Sequence, residues 1–172
     1  AAGLNNPAGN AFVAWVSDGN SLARNRLGAT VRGFLRPDGV PVADTINGLL
    51  TNFALLNPIR VDESGNDVGD KVVMTGTQLD GMASPSTCNN WTGSGMLLTG
   101  NSAHGPAFWT HFSTPSCNQG PFRIYCFQKT INRPLVLPRS PGKVIYLTNT
   151  LFTPGGGLAG ADQLCTLEKP AG

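Results

Sequence analysis

The chain has 172 residues, enough for one domain that buries its own core, with 12 basic against 10 acidic side chains and a formal charge of +2. That near-neutrality removes the electrostatic case for a nucleic acid or an anionic membrane as partner, and no apolar run approaches the roughly 18 residues that would span a bilayer. Charged residues are only 13% of the chain beside 22 glycines and 13 prolines, the composition of a turn-rich, β-containing secreted protein. The Ala-Ala-Gly start fits a matured secreted chain in the same way.

AFVAWVSD (residues 11–18) predicts a strand, closed by a turn at Asp18-Gly19-Asn20. Arg24, Arg26 and Arg32 read as a solvated basic face. RGFLRPDGVPVAD predicts a hairpin around Pro37 to Gly39. In TINGLLTNFALLNPI, the spacing of Ile46, Leu49, Leu50, Phe53 and Leu56 predicts a helix capped by Asp44 and ended by Pro58. VDESGNDVGD gathers Asp62, Asn66, Asp67 and Asp70, oxygen donors of the kind calcium takes. Without a closing glutamate, the bland alternative is a solvated turn.

DKVVMTGT (70–77) and FRIYCFQ (122–128) predict two central strands. The intervening residues 78–121 have loop composition, and a loop so long is expected to be functional or cross-linked. Within it CNNW (88–91) offers Asn89, Asn90 and Trp91 to a glycan, or else forms a turn with Trp91 in the core. Phe108 and Trp109, with Phe112 close by, are a second candidate contact surface. His104 and His111 have no catalytic partner close in sequence, so neither a catalytic residue nor a cofactor is expected.

Cys88, Cys117, Cys126 and Cys165 form an even set with no C-x-x-C pair. Two disulfides in an oxidising compartment follow, with three pairings open. INRPLVLPRSPG (131–142) predicts an extended proline-rich linker between a body at 1–130 and a strand–helix segment at 143–172. Gly155, Gly157 and Gly160 match G-x-G-x-x-G, but no βαβ alternation surrounds them, so a dinucleotide site is not indicated.

The order AFVAWVSD, NPIRVDESGN, VVMTGTQLDG, CNNW and SCNQGPFRIYCFQ resembles the bacterial endostatin-like domain of the C-type-lectin-like superfamily, over about residues 11–129. The resemblance implies an α+β fold with a twisted antiparallel sheet, one or two helices and a long disulfide-stapled loop region. It also implies the pairings Cys88–Cys117 and Cys126–Cys165. That family opens with a strand, GG-[LI]-AGAD and a cysteine-bearing helix. Here the matching stretch, KVIYLTNTLFTPGGGLAGADQLC, stands at residues 143–165.

The opening piece, with Val144, Tyr146, Leu147, Leu158, Leu164 and Cys165, has therefore moved to the other end. It has three destinations: its own body, a neighbouring copy, or the next domain of a tandem array. The neighbouring copy gives an extracellular filament built from copies of this chain. Bacterial relatives that attach to matrix and serum proteins imply an adhesin as the alternative, with a matrix protein or glycan as partner. The carboxylate–amide–proline triplet and W-N-D strand of calcium-dependent sugar-binding lectins are absent from the matching positions, as are endostatin's zinc-binding histidines.

Overall fold

In a computed structural model, which describes residues 11–51, 53–137, 146 and 148–169, the chain divides into two units, residues 1–137 and 138–172. The first is a mixed α+β body. Its strands are short: β1 (Phe12–Ala14), β2 (Arg32–Leu35), β3 (Pro41–Thr45), β4 (Val72–Met74), β5 (Thr99–Asn101), β6 (Arg123–Ile124) and β7 (Cys126–Gln128). They form two antiparallel pairs, β1–β7 and β2–β3, and a three-stranded sheet in the order β5-β4-β6. In that sheet β5 is antiparallel and β6 parallel to β4.

The FRIYCFQ run is thus two strands in two different sheets, hinged at Tyr125. Its carbonyl accepts from Trp15 N–H at 2.9 Å, which carries the β1 pairing one residue past the strand. The hairpin forms as expected: Arg36 N–H bonds Val40 O at 2.9 Å, and Gly39 N–H bonds Arg36 O at 2.9 Å.

Two helical expectations change. The helix expected to run to Pro58 is α2 (Ile46–Leu50), only 5 residues long. Phe53 takes the left-handed φ of 49° and turns the chain, which leaves Phe53 and Leu56 exposed. Its cap is Thr45, whose hydroxyl accepts from Gly48 N–H at 2.9 Å, rather than Asp44. Asp44 is engaged elsewhere, with the Arg32 guanidinium and with Leu135 N–H at 2.7 Å.

A helix absent from the sequence reading, α1 (Ala23–Leu27), begins without a side-chain cap of its own. Ser17 Oγ, from beyond the Asp18 turn, accepts from Ala23 N–H at 2.8 Å. Residues 131–137 lie against the body: Asn132 bridges in parallel to Arg32, and Leu135 N–H is held by Asp44.

The core joins both ends of the body. Trp15, at 0% exposure, packs tilted on Trp109 at 5.1 Å and on Phe127 at 5.4 Å, and Phe34 meets Phe127 edge-on at 5.3 Å. Leu27, Val42, Leu49, Leu50 and Val73 complete it. Threaded through this core is a buried hydroxyl network. Trp15 Nε1 donates to Thr110 Oγ1 at 2.9 Å, which donates to Thr77 O at 3.1 Å. Thr75 Oγ1 donates to Thr110 O at 2.6 Å, and the Ser17 and Thr77 hydroxyls lie 2.8 Å apart. These β-branched and small hydroxyl residues let strand surfaces enter the core with every added polar atom paired.

Candidate functional site

Residues 78–121 are irregular, yet much of the stretch is interior. Leu97, Leu98, Thr99, Trp109 and Thr110 are all buried, and the run enters the sheet as β5. Its arms are zipped by Leu97 N–H to Pro115 O at 2.9 Å and Thr99 N–H to Ser113 O at 2.8 Å, and closed by the disulfide Cys88–Cys117. The loop composition reflects tight turns within a packed, cross-linked excursion.

CNNW forms a four-residue helical turn, α3 (Cys88–Trp91), whose residues all have positive φ: 51°, 54°, 53° and 67°. A left-handed turn of non-glycine residues costs on the order of 1–2 kcal/mol per residue. It persists here because its surroundings over-determine it. Thr87 caps it, Cys88 is cross-linked, and Asn90 Oδ1 accepts from Gly19 N–H at 3.0 Å. Trp91 lies across Gly76, where a Cβ would come within 2.7 Å of the indole. Asn90 and Trp91 are thereby structural parts of the body, and of the sugar-facing trio Asn89 alone keeps an exposed side chain without a long-range partner.

Trp109 is likewise not a contact residue: at 1% exposure it is part of the core, stacked against Trp15 and Tyr125. Phe108 remains exposed and has two partners. His104, Phe108 and Phe112 meet edge-on at 5.0–6.1 Å, forming a small aromatic cluster on the surface. Phe108 and Trp109 share a turn, both N–H groups donating to Gly105 O, yet the Trp109 ring enters the core and the Phe108 ring stays at the surface. His111 is exposed.

The acidic turn closes on itself. Asp67 pairs with Arg60, whose guanidinium holds that carboxyl below its ordinary range. Asp62 accepts from Asn66 N–H at 2.9 Å and Ser64 N–H at 3.0 Å, and those donors hold its pKa down too. Asp70 accepts from Asn101 Nδ2 at 2.6 Å. Each carboxylate of the calcium candidate Asp62, Asn66, Asp67 and Asp70 is thus bound to an internal donor. Among the described residues no group of three or more His, Cys, Asp or Glu is placed to hold a metal.

In the second unit, α4 (Gly157–Leu167) is the regular element among the described residues. It follows the Gly155–Gly156–Gly157 turn and ends at Glu168, whose N–H bonds Leu164 O. The preceding chain folds back on it. Tyr146 Oη donates to Cys165 O, and the Glu168 carboxylate accepts from Asn149 N–H at 2.6 Å and Thr150 N–H at 3.0 Å. The Thr150 side chain, then the Asn149 and Thr150 N–H groups, hold the Glu168 carboxyl below its ordinary value. Val144 and Leu147 lie outside the described residues.

No residue of α4 is buried: Leu158 is 86% and Leu167 74% exposed, and Leu164 is half-buried. Cys126 and Cys165 both carry free, exposed thiols. Burial, and then the Glu63 charge, push the Cys126 thiol above its ordinary pKa. Comparison with protein families, with curated proteins and with solved structures returned no match to this chain.

Proposed function

We propose that this chain is a non-enzymatic, secreted structural subunit with a C-type-lectin-like, endostatin-like body, assembled into an extracellular polymer when one molecule's C-terminal segment docks on the body of the next. The observation that carries the reading is α4, an amphipathic-looking helix that buries no residue. At 11 residues it is below the length at which a helix persists on its own in water, about 12–15 residues, so a partner surface has to complete it. Docking the face that carries Leu158 and Cys165 would contribute about 1.5–3 kcal/mol for burying Leu158.

The body offers a matching set of features. Among the described residues strand β6 ends its sheet with one edge unpaired, Ile124 is 44% exposed on it, and the free thiol of Cys126 follows two residues later. A Cys165–Cys126 bond between copies would make each joint covalent, and head-to-tail donation of this kind builds a filament wherever its rotation does not close a ring. The test is electrophoretic. Purified chain run without reductant is expected to form a ladder of multiples of 18.0 kDa that collapses on reduction and is lost in Cys165→Ser. A single 18.0 kDa band with and without reductant, together with a monomer by size-exclusion chromatography at high concentration, would overturn the proposal.

A second reading, an adhesin for a matrix protein, is favoured by the exposed Phe108 and Phe112, which cluster with the half-buried His104. Loss of matrix binding in Phe108→Ala and Phe112→Ala, with assembly unaffected, separates it from the first.

A further inference from the structure

Five of the nine cations of the body are engaged by other groups. Arg32, Arg36 and Arg60 pair with aspartates, while Arg24 and Arg26 donate to backbone carbonyls. Four others, Lys71, Arg123, Lys129 and Arg133, have side chains that make no ion pair or hydrogen bond among the described residues. Of these, Lys71 and Arg123 line one open groove of about 420 Å³, and no acidic residue lines it with them. The carboxylate whose charge Arg123 feels, Asp62, is bound to the backbone N–H groups of Ser64 and Asn66.

The rest of the lining is of a different kind. Ser113 and Gln119 bring a hydroxyl and an amide, and Pro121 and Phe122 bring apolar faces. Gln119 is fixed by the 3-10 turn Cys117–Gln119, which the Cys88–Cys117 disulfide anchors. Phe122 is seated against Gly120, where a Cβ would come within 2.9 Å of the ring.

We propose that this groove binds a carboxylate-bearing monosaccharide, of the uronic or sialic class. The Arg123 fork matches the two oxygens of a carboxylate, and Lys71 supplies a second positive charge beside it. A bare inorganic anion would leave most of the space unused, since one water takes about 30 Å³. A pyranose ring instead sets its C–H face on Phe122 and Pro121 and its hydroxyls toward Ser113 and Gln119. The groove shares no lining residue with the His104, Phe108 and Phe112 cluster, and the inference rests on neither reading given above.

The test is an NMR titration of the ¹⁵N-labelled full chain at low ionic strength and micromolar protein, with glucuronic acid and N-acetylneuraminic acid as probes. Glucose and acetate are the controls. At least one acid is expected to give saturable shifts at Phe122 and Arg123, with half-saturation on the order of 1 mM. Arg123→Gln and Lys71→Gln are each expected to weaken it about tenfold while the remaining spectrum stays in place. Both side chains are exposed, so either variant carries the test if the other misfolds. Absence of saturable shifts with both acids, or unchanged binding in the variants, overturns the proposal. So does glucose binding as tightly as the acids. Acetate matching the acids also overturns it, because the groove would then be a general anion surface.

Discussion

Replacing Cys88 and Cys117 together with alanine asks how far a single covalent bond defines the long excursion between the two central strands. The bond closes a loop with a sequence separation of 29. Chain-entropy arithmetic for that separation gives a loss of about 3.6 kcal/mol at 25 °C. Against it stands a smaller gain, for without the bond the left-handed turn at Cys88–Trp91 is freer to relax. The net expectation is about 2–4 kcal/mol, or roughly 5–15 °C in Tm for a chain of this size.

Denaturant unfolding followed by tryptophan fluorescence reads the loss directly, because Trp15 and Trp109 sit in the core. Asn89→Gly in the oxidised protein isolates the backbone contribution. Glycine tolerates a φ of 54° without penalty, and a gain of about 0.5 kcal/mol is expected. A double-alanine loss below about 1 kcal/mol at unchanged m-value would refute the reasoning. It would mean that the loop remains closed in the unfolded ensemble, or that Leu97 N–H to Pro115 O and Thr99 N–H to Ser113 O hold it without help.

Thr110→Val keeps the shape but strips the acceptor of Trp15 Nε1 and the donor to Thr77 O, leaving a buried indole N–H unpaired. A loss of about 2 kcal/mol is expected in the same assay, and a loss under about 0.5 kcal/mol would show that the network is not what secures Trp15. Tyr125→Phe should go the other way. The phenol is buried without a protein partner, and burial alone raises its pKa, so removing the hydroxyl is expected to be neutral or to stabilise by up to about 1 kcal/mol. A clear loss in Tyr125→Phe would contradict this.

Asp44 gives a pH dependence. The Arg32 guanidinium, then Leu135 N–H, lower its carboxyl from the ordinary 3.8, so its contribution is complete above that value and is lost as pH falls through the folded-state value. Hydrogen exchange at the Leu135 amide should therefore be slow and, once corrected for intrinsic rates, flat down to about pH 4, then accelerate. Asp44→Asn should abolish the step, and protection that persists unchanged to pH 2 would remove Asp44 from that role.

Much of the body was legible in local pattern. The Pro37–Gly39 hairpin, the β4 strand and the Asp18 turn rest on neighbours within a few residues, where backbone sterics and turn chemistry decide alone. Helix α1 was not legible, since its first N–H is satisfied by Ser17 across a turn rather than by a capping residue of its own. Asp44 read as a cap because it precedes the apolar spacing. Arg32 and Leu135, 12 residues before it and 91 after it, have a stronger claim on its carboxylate.

Of the candidate surfaces, the sequence marked the aromatic residues without their sides. Phe108 and Trp109 are equal as letters, but one is 49% exposed and the other 1%, a difference fixed by which face of the chain meets Trp15. The groove at Lys71 and Arg123 had no sequence signal at all. Its residues come from positions 52 apart in the chain and are joined only by the parallel pairing of β4 with β6.

By itself, then, the sequence determined the class of protein: a near-neutral, turn-rich α+β chain with an even set of cysteines and an apolar, cysteine-bearing helix after the last body strand. Composition and short-range periodicity suffice for that, because they act through contacts a few residues long. Tertiary structure alone decided which aromatics are core, which carboxylates are already bound and which two unpaired cations share a groove. Burial and charge pairing depend on residues brought together from distant parts of the chain, and no local pattern encodes who those neighbours will be.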